Sequence, residues 1–216
     1  MKTNFIALIN IFILMSCGKE ETKYLNQDNL SPIYEDWELY WSDEFNDDAL
    51  DQSKWNKLNW KPGWVNNELQ AYTGRDTNIF LENGYLILQS NIEPGFSGTD
   101  YVGNDYVADY TSGRINTDDK FQWTYGRFDI RAKLPKGRGS WPAIWMLGEN
   151  ISTVGWPNCG EIDIMEHVGF EDGVIHGSIH TEDYNHGINT QRSGTTFVNT
   201  ATDSFHIYSL EWSPTY

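Results

Sequence analysis

Hydrophobic and polar positions alternate in short runs along most of this chain. From Tyr125 to Leu134, Phe128, Ile130 and Ala132 alternate with Arg127, Asp129, Arg131 and Lys133, the period-two pattern of a strand with one buried face. The run Leu81–Leu88 holds Asn83-Gly84 between apolar flanks, a two-residue hairpin signal. Thr111–Thr117, Val174–Thr181 and Phe205–Trp212 continue the series. Beyond the first residues, no 3.6-residue apolar spacing persists for more than two turns, and no internal repeat is visible. Many short strands separated by turn residues predict one all-β domain built as a sandwich.

One run breaks the ordinary pattern. Gly160-Glu161-Ile162-Asp163-Ile164-Met165-Glu166-His167 sets three acids among apolar residues, and burying acids is costly unless a site uses them. On a strand, Glu161 and Asp163 share a face while Ile162 and Ile164 point to the other. Strict alternation sends Glu166 to the apolar face; one bulge near Ile164 or Met165 returns it to the acidic one. A row of three carboxyls suits glycoside hydrolysis, in which a retaining enzyme needs two carboxyls roughly 5 Å apart. Glu161 and Glu166 are the nucleophile and acid/base of that reading. Asp163 between them holds a proton and orients the nucleophile, because like charges so close do not all ionise. The alternative for so short a motif is a solvated acidic strand face.

The first residues read as an export signal. Lys2 is followed by the short apolar run Phe5–Met15 and by Leu14-Met15-Ser16-Cys17, the form of a bacterial lipobox in which Cys17 becomes lipidated after cleavage. The run is too short for a membrane-spanning helix. Residues 1–17 are thus assigned to a lipoprotein signal and residues 18–36 to a polar tether. The catalytic domain is residues 37–216, and the lipid is the only membrane attachment. The expected location is the bacterial cell envelope, periplasmic or at the outer-membrane surface. With Cys17 lipidated, Cys159 is left without a disulfide partner in the chain and is expected as a small thiol at the cleft edge.

Charge narrows the partner. Acidic residues outnumber basic ones 31 to 15, a formal net charge of -16. That excludes nucleic acid and an anionic membrane surface, which reward Lys and Arg, and disfavours strongly anionic polysaccharides. A neutral polysaccharide is compatible. Aromatic residues make up 15%, more than a core requires.

Further motifs surround the acids in order: Trp41-Ser42-Asp43-Glu44-Phe45, Asn66-Asn67-Glu68-Leu69-Gln70-Ala71-Tyr72-Thr73, Gly139-Ser140-Trp141-Pro142-Ala143-Ile144-Trp145-Met146-Leu147, and Trp156-Pro157-Asn158-Cys159 directly before Gly160. This set, from about Trp37 to Tyr216, resembles glycoside hydrolase family sixteen, and within it the bacterial laminarinase-like endo-β-1,3-glucanases. The resemblance implies a β-jelly-roll of two curved antiparallel sheets with an open concave cleft. It implies a monomer that hydrolyses internal β-1,3, or mixed β-1,3-1,4, linkages by double displacement and needs no cofactor for catalysis. An agarase-like galactanase and a non-catalytic surface glycan-binding lipoprotein are the alternatives. Relatives usually continue for several strands past Glu211-Trp212-Ser213-Pro214, so the chain reads as C-terminally truncated.

The resemblance also extends the site. It places Trp141 and Trp145 in the cleft, where indole rings stack on sugars, with core packing as the alternative. Asn67 and Arg114 are expected to donate to glucan hydroxyls, and His180 to reach the cleft; for Arg114 a structural ion pair weighs equally. Trp60 and Trp64, in a Gly/Pro loop, have weaker rim or subsite roles. His176 and His180 share a strand face, but two His alone make an incomplete zinc site. Glu44 and Gly84 resemble positions that contribute to a structural calcium site.

Overall fold

The described residues form fourteen strands, those of the alternating runs among them. The computed structural model describes residues 5–16 and 37–215. The strands are β1 (Phe5–Ser16), β2 (Trp37–Asp43), β3 (Asn56–Lys57), β4 (Gln70–Tyr72), β5 (Ile79–Glu82), β6 (Tyr85–Thr99), β7 (Asp105–Ser112), β8 (Ile115–Asn116), β9 (Gly126–Lys133), β10 (Ala143–Leu147), β11 (Glu161–Glu166), β12 (Val174–His180), β13 (Arg192–Phe197) and β14 (His206–Trp212). Among the described residues the one α-helix, α1, is the single turn Ile151–Val154. The architecture is a jelly roll. One sheet has the order β14-β9-β1-β6-β7-β4, with β2 also on β1 and β5 also on β6; a second has the order β10-β11-β12-β13.

The hairpin signal at Asn83-Gly84 is realised as a two-residue turn. Both residues have positive φ, 53° and 76°, and Glu82 pairs Tyr85 across it, the backbone twist that favours Asn-Gly. The expected strand Thr111–Thr117 is divided. It ends β7, breaks at Gly113 and resumes as β8. A Cβ at Gly113 would stand 2.4 Å from the Asn78 carbonyl oxygen, so the strand passes a neighbour too closely for any side chain.

In β9, Phe128, Ile130 and Ala132 are buried, as their alternation predicts, but so is Asp129 on the other face. Strand β9 is flanked by β1 and β14, and Arg127 Nε lies 3.1 Å from the Asp129 carboxylate. The ion pair satisfies the buried charge within the sheet.

The sequence reading set residues 1–17 apart as an export signal. In the structure Phe5–Ser16 is a strand, antiparallel to β2, β6 and β9. Uncharged apolar runs of this length suit an export h-region and a central strand alike. Cys17 and the tether assigned to residues 18–36 lie outside the described residues.

The core lies between the sheets. Trp41, Phe45, Trp55, Phe128, Ile130 and Tyr208 form its aromatic and aliphatic body, and Met165 and Ile175 join it from β11 and β12. Trp41 meets Trp55 and Trp123 edge-on, at centroid distances of 5.5 and 5.4 Å. Trp55 Nε1 donates to the buried carboxylate of Asp43 at 2.8 Å, and the Phe45 amide donates to the same carboxylate at 3.0 Å. This carboxylate joins the start of the domain to the core. Trp55→Phe removes one donor and keeps an aromatic ring, though a smaller one. It should lower stability by about 2 kcal/mol, the scale of a buried hydrogen bond to a charged group. Urea denaturation reads this directly, and an unchanged midpoint would assign the bond no weight.

Candidate active site

Strand β11 carries the acids, and its pairing explains how they reach one face. On the β10 side, Ile144 pairs Met165 and Trp145 pairs Asp163, so Ile164 is the extra residue. On the β12 side, Asp163 pairs Ser178 and Glu166 pairs His176, with the register shifted between them. This is a bulge. Paired residues share a face, so Ala143, Trp145, Glu161, Asp163, Glu166, His176, Ser178 and His180 all line the side away from the core. Met165, Ile144, Met146 and Ile164 pack against the core. Gly160, with φ 79°, turns the chain into β11 immediately before Glu161.

Asp163 is the buried member of the row, at 6% exposure, while Glu161 and Glu166 are half-buried. Its carboxyl is pushed up to about 8, first by burial and then by the negative charges of Glu161 and Glu166, with a hydrogen bond to Glu161 adding to the shift. Near neutral pH, Asp163 therefore holds a proton between two other carboxyls. Its Oδ2 lies 3.2 Å from His180 Nε2, and His180 is itself buried. The ligand atoms of Glu161, Asp163 and His180 lie within 4.8 Å of one another, the only such three-residue group found among the described residues. His180 also meets His186 and Trp156, at centroid distances of 5.2 and 6.0 Å, and Trp156 lies tilted against His186 at 4.6 Å. His186 was not legible in the sequence, because a loop brings it to the cleft.

The other residues expected at the site divide into two groups. Trp141 is 47% exposed, and its Nε1 donates to Glu166 Oε1 at 3.0 Å. Its polar edge thus orients a carboxyl, a role its spacing did not suggest. Trp145 lies opposite Asp163 and under Arg114, whose Cζ is 4.8 Å from the ring; the same guanidinium is 4.3 Å from Trp60 and 5.4 Å from Tyr72. Burial pulls the Arg114 guanidinium down from its ordinary value, opposed by the charges of Tyr72, Glu68 and Glu161. Burial also pushes the Glu68 carboxyl up, against a hydrogen bond from Tyr72 and the charge of Arg114. Arg114 therefore belongs to the electrostatics of the acid row. Tyr72 was missed as a site residue, although it stands in the same motif as Asn67 and Glu68.

The second group is Asn67, Glu44, Gly84 and Cys159. Asn67 is exposed, with φ 54°, in the loop before β4. Glu44 and Gly84 lie near the β5–β6 turn, where a Cβ at Gly84 would stand 3.2 Å from Asn46 Oδ1. Burial and then the neighbouring Asp43 push the Glu44 carboxyl up, against the charge of Lys54. Cys159 is a half-buried free thiol, raised above its ordinary value first by burial and also by the charge of Glu161.

The proton on Asp163 has a consequence for stability. Its folded pKa of about 8 exceeds the unfolded value of about 3.9, so the folded state binds more protons between those limits. Stability from this group is full below about pH 4 and falls as pH rises towards 8. Asp163→Asn keeps the neutral form at every pH. Its melting temperature relative to wild type should climb from about pH 4 to pH 8, by about 3 °C for each kcal/mol of differential stability in a chain of this size. A difference that stays flat with pH would remove the shared proton from Asp163.

Three comparisons bear on this arrangement. Residues 52–216 match the family described as glycosyl hydrolases family 16. A β-glucanase of Rhodothermus marinus is 50% identical over 82% of this chain, and the chain spans 60% of that protein. A glucan endo-1,3-β-glucosidase A1 of Niallia circulans is 40% identical over 81% of this chain, which spans 26% of it. Among solved structures, the laminarinase catalytic domain of Thermotoga maritima superimposes with a TM-score of 0.73 at 42% identity, covering 83% of this chain and 72% of that one. The profile match covers the whole acid row and most of the sandwich that carries it, and on that ground the chain belongs to glycosyl hydrolases family 16.

Proposed function

We propose that the protein is a retaining endo-glycosidase acting on internal β-1,3 linkages of laminarin-type glucans, and on mixed β-1,3-1,4 glucans. The observation that carries this reading is the bulged strand β11, which sets Glu161, Asp163 and Glu166 on one face with a proton held at the middle position. Glu161 attacks the anomeric carbon as Glu166 protonates the departing glycosidic oxygen. The bond to the leaving sugar breaks and a glycosyl ester on Glu161 forms. Glu166, now a carboxylate, takes a proton from water. That water attacks the anomeric carbon and releases Glu161, so no proton is gained or lost overall. Protonated Asp163 donates to Glu161 and spares it the repulsion of a third charge. Trp141 Nε1 holds Glu166. The reaction requires no cofactor.

The names of the similar proteins support a β-glucan as substrate. The net charge of -16 supports a neutral one. Two tests follow. NMR of the first sugar released from a laminarin oligosaccharide should show the β anomer, and an initial α anomer overturns double displacement. Glu161→Gln should lower kcat by at least about 10³-fold, on the scale of other residues essential to a covalent mechanism, while leaving the melting curve in place.

We further propose that Cys17 carries the lipid of a bacterial envelope lipoprotein, on the strength of Leu14-Met15-Ser16-Cys17 after a short apolar run. Cys17→Ser should move the protein from the membrane fraction to the soluble one, since a lipid chain is the anchor this reading supplies. Retention of the variant on membranes after a high-salt wash contradicts it. For Glu44 and Gly84, the chemistry is that of a hard cation: a carboxylate, a main-chain carbonyl and the nearby Asn46 amide are oxygen donors suited to a structural calcium.

A further inference from the structure

A buried histidine fastens the loop that steadies Glu166. Trp141, which donates to Glu166, stands just before β10, and the chain opposite it runs on past the end of β11. The antiparallel pairing continues there. The His167 amide donates to the Pro142 carbonyl at 3.2 Å, and the Gly169 amide to the Ser140 carbonyl at 2.9 Å. Trp141 thus lies in a short ribbon whose other edge is residues 167–169. A Cβ at Gly169 would stand 1.8 Å from the Gly137 carbonyl oxygen and 2.4 Å from Ser140 Oγ, so the two edges meet too closely for any side chain.

His167 fixes the far end of that second edge. It is fully buried, and its Nε2 accepts from the Gly173 amide at 3.3 Å, which closes the loop 168–173. The Gly173 carbonyl accepts from the Val198 amide at 2.8 Å and ties the loop to the chain just after β13. An Nε2 that accepts places the ring proton on Nδ1, and Nδ1 has no hydrogen-bond partner among the described residues. Burial pulls the imidazole below its ordinary value, opposed by the charge of Asp172 and aided by that of His176, so Nε2 stays an acceptor near neutral pH. A buried N–H without a partner is costly, and an aliphatic side chain would fill the space without that cost. Packing alone therefore does not call for an imidazole here; the Gly173 amide does.

We propose that His167 is a positioning residue for the acid/base: by holding the Gly173 amide it fixes the loop 168–173, and through the Gly169–Ser140 bond that loop sets the place from which Trp141 reaches Glu166. This rests on the reading of the protein as a β-glucan hydrolase with Glu166 as its acid/base. The imidazole, being buried, meets no substrate and acts only through Trp141.

Two variants separate the acceptor from the ring. In His167→Gln the amide oxygen can stand where Nε2 stands; in His167→Asn the shorter side chain does not reach Gly173. With laminarin as substrate, kcat should fall about fivefold in His167→Asn and about tenfold in Trp141→Phe, the scale of one weakened or lost hydrogen bond to a charged group. KM should change little, and His167→Gln should stay close to wild type. The double variant His167→Asn/Trp141→Phe should be no slower than Trp141→Phe alone, since a residue acting through Trp141 then has nothing left to position. Effects that multiply in the double variant overturn the proposal. So does a His167→Asn protein that melts lower yet turns over at the wild-type rate, or a His167→Gln protein as slow as His167→Asn. NMR of the wild-type imidazole needs no variant to fold: the ring proton should sit on Nδ1, and a proton on Nε2 overturns the acceptor role. A wild type that cleaves no glucan removes the glucanase reading, and the role of His167 falls with it.

Discussion

A single extra residue in β11 governs this molecule. Without the register shift at Ile164, Glu166 would point into the core beside Ile164 while Met165 turned out of it, and an unpaired buried carboxyl there is costly. With it, three carboxyls share one surface and the apolar residues between them still fill the sandwich. Fold stability and chemistry are thus served by opposite faces of the same six residues. The neighbouring strands are built to the same shift. Strand β10 pairs Trp145 with Asp163 on one side of it and Ala143 with Glu166 on the other, and β12 places His180 and His176 opposite the two glutamates.

Around that row, positive and aromatic groups set the electrostatics. Arg114 is the cation that reaches Glu161 from the side, and it is desolvated between the rings of Trp60 and Trp145. A guanidinium held over rings in this way keeps its charge, because it does not deprotonate at ordinary pH. On the opposite flank, Trp156 and His186 enclose His180. The acids therefore sit between two aromatic walls of different character, one cationic and one imidazole-lined.

Much of this was legible in the residues. Alternation in β9 and the Asn83-Gly84 turn depend on neighbours in sequence, and both appear in the structure. The bulge was deducible because the parity of three acids on one strand demands it. What escaped was set by contacts across the fold. Asp129 reads as a solvent-facing residue, yet flanking strands and Arg127 make it an interior one. Trp141 reads as a stacking ring, and only its approach to Glu166 shows that its N–H is the active edge. Tyr72 and His186 enter the site from strand β4 and from the loop after β12, and no local pattern announces either. The run Phe5–Ser16 carries a composition that serves export and sheet pairing equally, so composition does not decide its place.

The bulge also has a meaning for how such sites vary. Parity along β11 is unchanged if Ile164 is deleted: Glu161, Asp163 and Glu166 then fall on alternate residues of a regular strand, and Met165 keeps its inward direction. The outer carboxyls would stay opposite Leu147 and Ala143 on β10 and opposite His180 and His176 on β12, because each neighbour already spans the two glutamates with five residues. The same three side chains can therefore be carried by five residues or by six, the sixth being an aliphatic residue that bulges towards the core, and the rest of the sandwich need register only a local change in curvature.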